Sequence, residues 1–197
     1  MKRPFLSFCS LVLLLFLTSC SGDEAEYSVW PCRFAYDNQV HNDLVLASAM
    51  NNASRGIFCL ISEHTQKGVK YLKFENNNGD SSQQPETAEE KLAKFILGLN
   101  NGIIVGFQTL NTEDATRGFV AYDVQCPNCV RRENNTVNPN YRVEMDSKGI
   151  ATCNRCGKTY DLNNGGIVTN GGEGDRGLEK YVANTTGPIG YISVYRR

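Results

Sequence analysis

Histidine is almost missing from this 197-residue chain: His41 and His64 are the only two. His41 falls in the polar stretch Asn38-Gln39-Val40-His41-Asn42, which reads as a surface turn, and His64 follows a predicted strand. A lone histidine in such a setting is ordinary surface, and no Ser, His and Asp signature or paired-carboxylate motif accompanies either one. A basic surplus is missing too. Twenty Lys and Arg stand against 21 Asp and Glu, a net charge of −1. That balance argues against a nucleic-acid partner, which calls for a basic stripe. Internal repeats are absent. Long apolar runs are absent except for one, from Phe5 to Leu17, and it is shorter than the roughly 20 residues a membrane-spanning helix needs.

What that run has is the right neighbours. Met1-Lys2-Arg3 supplies a charged start, the apolar stretch follows, and Leu17-Thr18-Ser19-Cys20 ends it with small residues. Leu-Thr-Ser-Cys resembles the bacterial lipobox, a resemblance that implies cleavage before Cys20 and lipidation of its thiol; the plainer alternative is an ordinary secretory signal with a chance cysteine. More than one acyl chain makes such an anchor stable, at about 0.8 kcal/mol per buried CH₂. Residues 1–19 are thus read as a lipoprotein signal peptide and 20–31 as a lipidated tether. The tether is acidic, with Asp23, Glu24 and Glu26 and no apolar partner, and is expected to stay solvated. It also resembles the acidic export signals of some surface lipoproteins. Removing Lys2 and Arg3 with the leader takes the net charge to −3. The implied location is the cell envelope, anchored to the (outer) membrane and facing the periplasm or the outside.

The remaining residues, 32–197, suit one domain. Short runs rich in β-branched and aromatic residues alternate with Asn, Gly and Asp clusters, the pattern of an all-β fold. Strands are expected at Cys32–Tyr36, Asp43–Ala49, Gly56–Ser62, Val69–Phe74, Ile103–Thr109, Phe119–Asp123, Tyr141–Met145, Leu178–Val182 and Ile189–Val194. Asn76 to Gln84 reads as a polar loop. One helix is expected after it. Thr87 and Glu90 have capping-box spacing, Glu90 and Lys94 form an i,i+4 pair, and Leu92, Phe95, Ile96 and Leu99 make an apolar stripe for packing on a sheet. Asn100-Asn101-Gly102 ends it. Trp30, just before Pro31, is expected to cover the domain edge.

Chemistry is concentrated in cysteine. With Cys9 removed and Cys20 lipidated, six of the eight cysteines remain: Cys32, Cys59, Cys126, Cys129, Cys153 and Cys156. The last four form two knuckles, Cys126-Pro127-Asn128-Cys129 and Cys153-Asn154-Arg155-Cys156. The turn inside each C-x-x-C brings both sulfurs to one side, and two such turns supply a tetrahedral four-thiolate metal site. Gly157 follows the second knuckle, where a positive φ is usual. An oxidising compartment leaves a second option open, disulfides Cys126–Cys129 and Cys153–Cys156 without metal. Cys32 and Cys59, in or near strands, are a candidate disulfide or two buried thiols.

From Ile103 onward the chain resembles the Rieske-like fold. Phe119-Val120-Ala121-Tyr122-Asp123-Val124-Gln125-Cys126-Pro127 is similar to that family's strand leading into its first ligand loop. Cys153-Asn154-Arg155-Cys156-Gly157-Lys158-Thr159-Tyr160-Asp161 is similar to its second. The resemblance implies a β-sandwich or barrel with one inserted helix and a metal-binding subdomain at about 123–177, with a rubredoxin-like or zinc-ribbon-like pair of knuckles. The family's cluster uses two Cys and two His. Here Asn128 and Cys156 stand at the histidine positions, so the usual cluster cannot form, and Gly171-Gly172-Glu173-Gly174-Asp175-Arg176-Gly177 replaces the family's proline-containing cover loop. Four thiolates suit zinc, or iron as a single ion or a low-potential 2Fe-2S cluster. A closed Cys₄ zinc site is normally structural.

Gly172, Gly174 and Gly177 match a dinucleotide fingerprint in spacing, but the fingerprint needs a helix after it and Leu178–Val182 reads as a strand, so a glycine turn is expected. The sequence thus points to a lipid-anchored envelope module with a structural metal site at Cys126, Cys129, Cys153 and Cys156 and no catalytic activity. An electron carrier and a metal-free dithiol protein are the alternatives.

Overall fold

The computed structural model describes residues 27–110, 118–134 and 137–197. The signal peptide, Cys20 and the acidic tether lie outside the described residues. Twelve strands and four α-helices form among the described residues. They are β1 (Arg33–Asp37), α1 (Asn38–His41), α2 (Leu44–Ala49), β2 (Phe58–Gln66), β3 (Val69–Asn76), β4 (Ser81–Pro85), α3 (Ala88–Ala93), β5 (Ile103–Phe107), β6 (Phe119–Asp123), α4 (Pro127–Arg132), β7 (Val143–Met145), β8 (Ile150–Cys153), β9 (Thr159–Asp161), β10 (Ile167–Val168), β11 (Lys180–Thr185) and β12 (Tyr191–Tyr195). An eight-stranded antiparallel sheet in the order β1-β12-β11-β6-β5-β2-β3-β4 curls into a half-barrel. A second, four-stranded sheet, β10-β9-β8-β7, is inserted between β6 and β11.

Strand β5 explains how the layers meet. Its five residues, Ile103–Phe107, are all buried, because the central strand is covered on both faces. Ile103, Val105 and Phe107 point into one core with Phe34, Tyr36, Leu46, Ile61 and Phe74. Ile104 points into the other, with Phe58, Tyr122, Val124, Cys126, Cys129 and Cys153. The period of two along one strand thus divides the molecule into a barrel core and a knuckle core.

Four sequence expectations fail for physical reasons. Asp43–Ala49 is not a strand. Asp43 caps a helix, its carboxylate accepting from the Leu46 amide at 3.0 Å, and Leu46, Ala49 and Met50 then fall on one buried face at helical spacing. The predicted long helix is short. The Thr87–Glu90 capping box forms, but Lys94 turns left-handed at φ 51, and α3 buries none of its residues. Leu92 stays 81 % exposed. Ile96 leaves the helix to bridge Arg33, and Glu90 pairs with His41 at 2.9 Å instead of Lys94. The polar loop at 76–84 contains β4, an edge strand whose Ser81 and Gln83 side chains face solvent, whose Ser82 and Gln84 side chains bond to Asp43, and whose backbone pairs with β3. His41 itself lies against the ring of Tyr36, 4.8 Å between centroids, with its side chain only 8 % exposed, so it is not the surface residue its neighbours suggest.

Candidate metal centre

The two knuckles come from different parts of the inserted segment, one at its start after β6 and the other at the end of β8. Strand β6 delivers Val124 and Gln125 to Cys126, which sits just ahead of α4 with Pro127 at the first helical position. The Cys126 amide donates to the Tyr141 carbonyl at 2.8 Å, which fixes this knuckle to the chain entering β7. Strand β8 ends on Cys153. Its amide donates to Lys158 O at 2.9 Å, and the Gly157 amide donates to Cys153 O at 2.7 Å, closing the turn around Cys156. Gly157 holds φ +72, the left-handed conformation expected after the knuckle.

These turns bring the four sulfurs together. All lie within 4.8 Å of one another, with Cys126 Sγ to Cys156 Sγ and Cys129 Sγ to Cys153 Sγ both at 3.7 Å. A tetrahedral ion with metal–sulfur bonds of about 2.3 Å sets an edge of about 3.8 Å between its sulfurs. The group could therefore hold a metal ion. Cys126, Cys129 and Cys153 are buried and Cys156 is half-buried.

Hydrogen-bond donors surround the cluster. The Cys129 amide points at Cys126 Sγ, and the Arg155 and Cys156 amides at Cys153 Sγ. The Tyr160 hydroxyl lies 3.0 Å from Cys126 Sγ, and Asn128 Nδ2 donates to that hydroxyl oxygen at 3.0 Å, leaving its proton for the sulfur. Arg132 reaches Cys129 Sγ at 3.8 Å. Donors aimed at sulfur favour the thiolate. The thiols also set one another: the hydrogen bond with Cys126 pulls Cys153 well below its ordinary value, while that bond and burial push Cys126 up.

The glycine turn straps the site from outside. Asn128 Oδ1 accepts from the Arg176 amide at 3.0 Å and its Nδ2 donates to Arg176 O at 2.9 Å. Arg131 donates to Gly174 O at 3.1 Å. Lys158, beside the second knuckle, pairs with Asp175 at 2.6 Å. One loop thus holds α4 and the second knuckle, a role its glycine spacing did not announce. Strand β11 follows, without the helix a dinucleotide fingerprint requires.

Two further residues, Tyr181 and Asp123, were not singled out from the sequence. Asp123, buried, accepts from the Leu99 amide at 2.8 Å, the Gln125 amide at 2.7 Å and the Tyr181 hydroxyl at 2.6 Å. It thereby fixes the chain three residues before the first knuckle. Burial outweighs those three bonds and raises its carboxyl to about 6. A charged residue at the end of an apolar strand was the available signal.

Cys32 and Cys59 are free thiols in this structure. Cys32 precedes β1, Cys59 lies on β2, and four strands separate β1 from β2 in the sheet order. Burial pushes the Cys32 thiol up to about 12 and the Cys59 thiol higher still. Such thiols are inert packing groups. Trp30 is half-buried against the knuckle core. No known protein family, curated protein or solved structure matches the chain.

Proposed function

We propose that this protein is a lipid-anchored cell-envelope module of Rieske-like architecture whose four cysteines hold one structural zinc ion, and that it acts by binding a partner and not by catalysis. The observation that carries this reading is the spacing of the sulfurs: two cross-knuckle pairs at 3.7 Å and no pair beyond 4.8 Å. That spacing fits a single ion. A 2Fe-2S cluster interposes two irons between opposite thiolate pairs and needs a wider frame. Four protein thiolates also fill a tetrahedral ion's coordination, so no position is left for a substrate. The insertion of a small sheet bearing both ligand loops between β6 and β11 supports the architecture, and the segment from Met1 to Cys20 supports the anchor.

Metal analysis of protein purified from the native envelope tests the centre. One zinc per chain and no visible absorption are expected. A coloured protein with one iron turns the reading toward electron transfer. Metal-free protein with disulfides at the knuckles ends it. Intact mass of the N-terminal peptide tests the anchor, which predicts a diacylated or triacylated Cys20.

A further inference from the structure

The geometry points to a second membrane contact: the end of the half-barrel where the chain enters rests on the bilayer through Tyr27, Val29 and Tyr195. The inference rests on the lipid anchor proposed above. Only residues 21–26 separate Cys20 from Tyr27, and fully extended they reach roughly 20 Å. An acylated Cys20 therefore keeps this end of the domain close to the headgroups.

The entry end is built as an interfacial surface. Tyr27 bridges Lys180, and the Ser28 amide donates to Lys180 O at 2.8 Å, so the exposed side chains stand on fixed backbone. Val29 is 72 % exposed, Tyr195 45 % and Tyr27 43 %. Arg196 Nη1 donates to Val29 O at 3.3 Å, and the Arg197 guanidinium lies 5.1 Å from the centre of the Tyr27 ring. Tyr and Trp favour the membrane–water boundary, and arginine stems cover apolar surface while the heads stay in water. Trp30 follows Val29 directly.

Charge does not make this contact. Asp23, Glu24 and Glu26 in the tether offset the arginines, so attraction to anionic lipid is weak and the contact is an apolar one. It need not be strong either. A short tether holds the surface at an effective concentration on the order of millimolar, at which a contact too weak to recruit a free protein is populated. The opposite end of β1, with Val40, then points away from the membrane.

The chain's single tryptophan reports the contact. The lipidated protein is reconstituted into phosphatidylethanolamine–phosphatidylglycerol vesicles with brominated acyl chains, and flotation and Trp30 emission are measured together. Flotation with quenched emission is expected, with little change at high salt. Val29→Glu is expected to float and recover its emission, whereas Val40→Glu stays quenched. Flotation without quenching overturns the surface and leaves the anchor standing. Quenching that survives Val29→Glu overturns it as well, as does an unquenched protein that cross-links to a second copy through this end. Failure to float overturns the anchor and the surface together.

Discussion

The sulfurs of Cys129 and Cys153 lie 3.7 Å apart although 24 residues separate them in the chain, one in helix α4 and the other at the end of strand β8. Tyr160 of β9 and the glycine loop also tie the first knuckle to the small sheet, but the two turns meet tip to tip only at their sulfurs. A metal held there would join α4 to the four-stranded sheet directly, and its loss would leave only those side-chain contacts between them. Cys153→Ser is expected to abolish stoichiometric metal and to lower stability by several kcal/mol, since binding energy at a structural site is folding energy of about 10–16 kcal/mol in small zinc modules. Cys32→Ala, in the barrel core, is expected to keep the metal. Zinc content and urea midpoints of the two variants check this; equal metal loss in both would falsify a site confined to the knuckles.

Tyr160 reaches the cluster from β9, fully buried, with its hydroxyl between Asn128 and Cys126. Tyr160→Phe keeps the ring and removes the donor to sulfur. The expected cost is about 1–2 kcal/mol, the usual range for a buried hydrogen bond to a polar group. Zinc release to a competing chelator is expected to quicken, with the fold unchanged by circular dichroism. An unchanged release rate means that the hydroxyl does not serve the sulfur.

Asp123 makes stability depend on pH in a direction opposite to that of most carboxylates. Its folded value, about 6, lies above the ordinary 3.8, so the folded protein holds a proton that the unfolded chain releases. The stabilisation from that proton is complete below about pH 4 and is lost as pH rises through about 6. A shift of this size corresponds to roughly 3 kcal/mol. Asp123→Asn cannot accept three hydrogen bonds and is expected to be less stable overall, yet to lose this slope. Denaturation of both proteins between pH 4 and 7 measures the difference; parallel curves would remove Asp123 as its source.

The knuckles were legible because their chemistry is local: C-x-x-C fixes two sulfurs through one turn, and Gly157 marks the turn's end. That the two turns meet depends on the sheet between them, and β8, β9 and β10 are too short to show a pattern of their own. The central strands were legible for the opposite reason. Ile103–Phe107 is a continuous apolar run because two cores press on it. Asp43–Ala49 misled because Leu-Val-Leu reads as strand while the deciding feature, Asp43 as a cap also held by Ser82 and Gln84 of β4, is a contact across 39 and 41 residues. The helix after Thr87 started where its capping box said. Its end was set by Ile96 pairing with Arg33, which no local spacing encodes.

Gly106 is where β2 and the residue before it crowd β5. It faces the knuckle core opposite Phe58, and a methyl group there would meet the Ile57 carbonyl oxygen and a Phe58 ring carbon at 2.7 Å. Gly106→Ala is therefore expected to cost about 1–3 kcal/mol, as overpacking does. Two neighbours could be the obstacle, and they differ in how far they can yield. The ring of Phe58 can rotate or be trimmed; the Ile57 carbonyl is backbone and cannot. If the carbonyl is the obstacle, adding Phe58→Leu gives no relief, and the double variant loses about the sum of the two single costs. Relief by Phe58→Leu, read from urea midpoints of the four proteins in the cycle, would instead place the strain in the ring and leave the β2–β5 backbone spacing free to adjust.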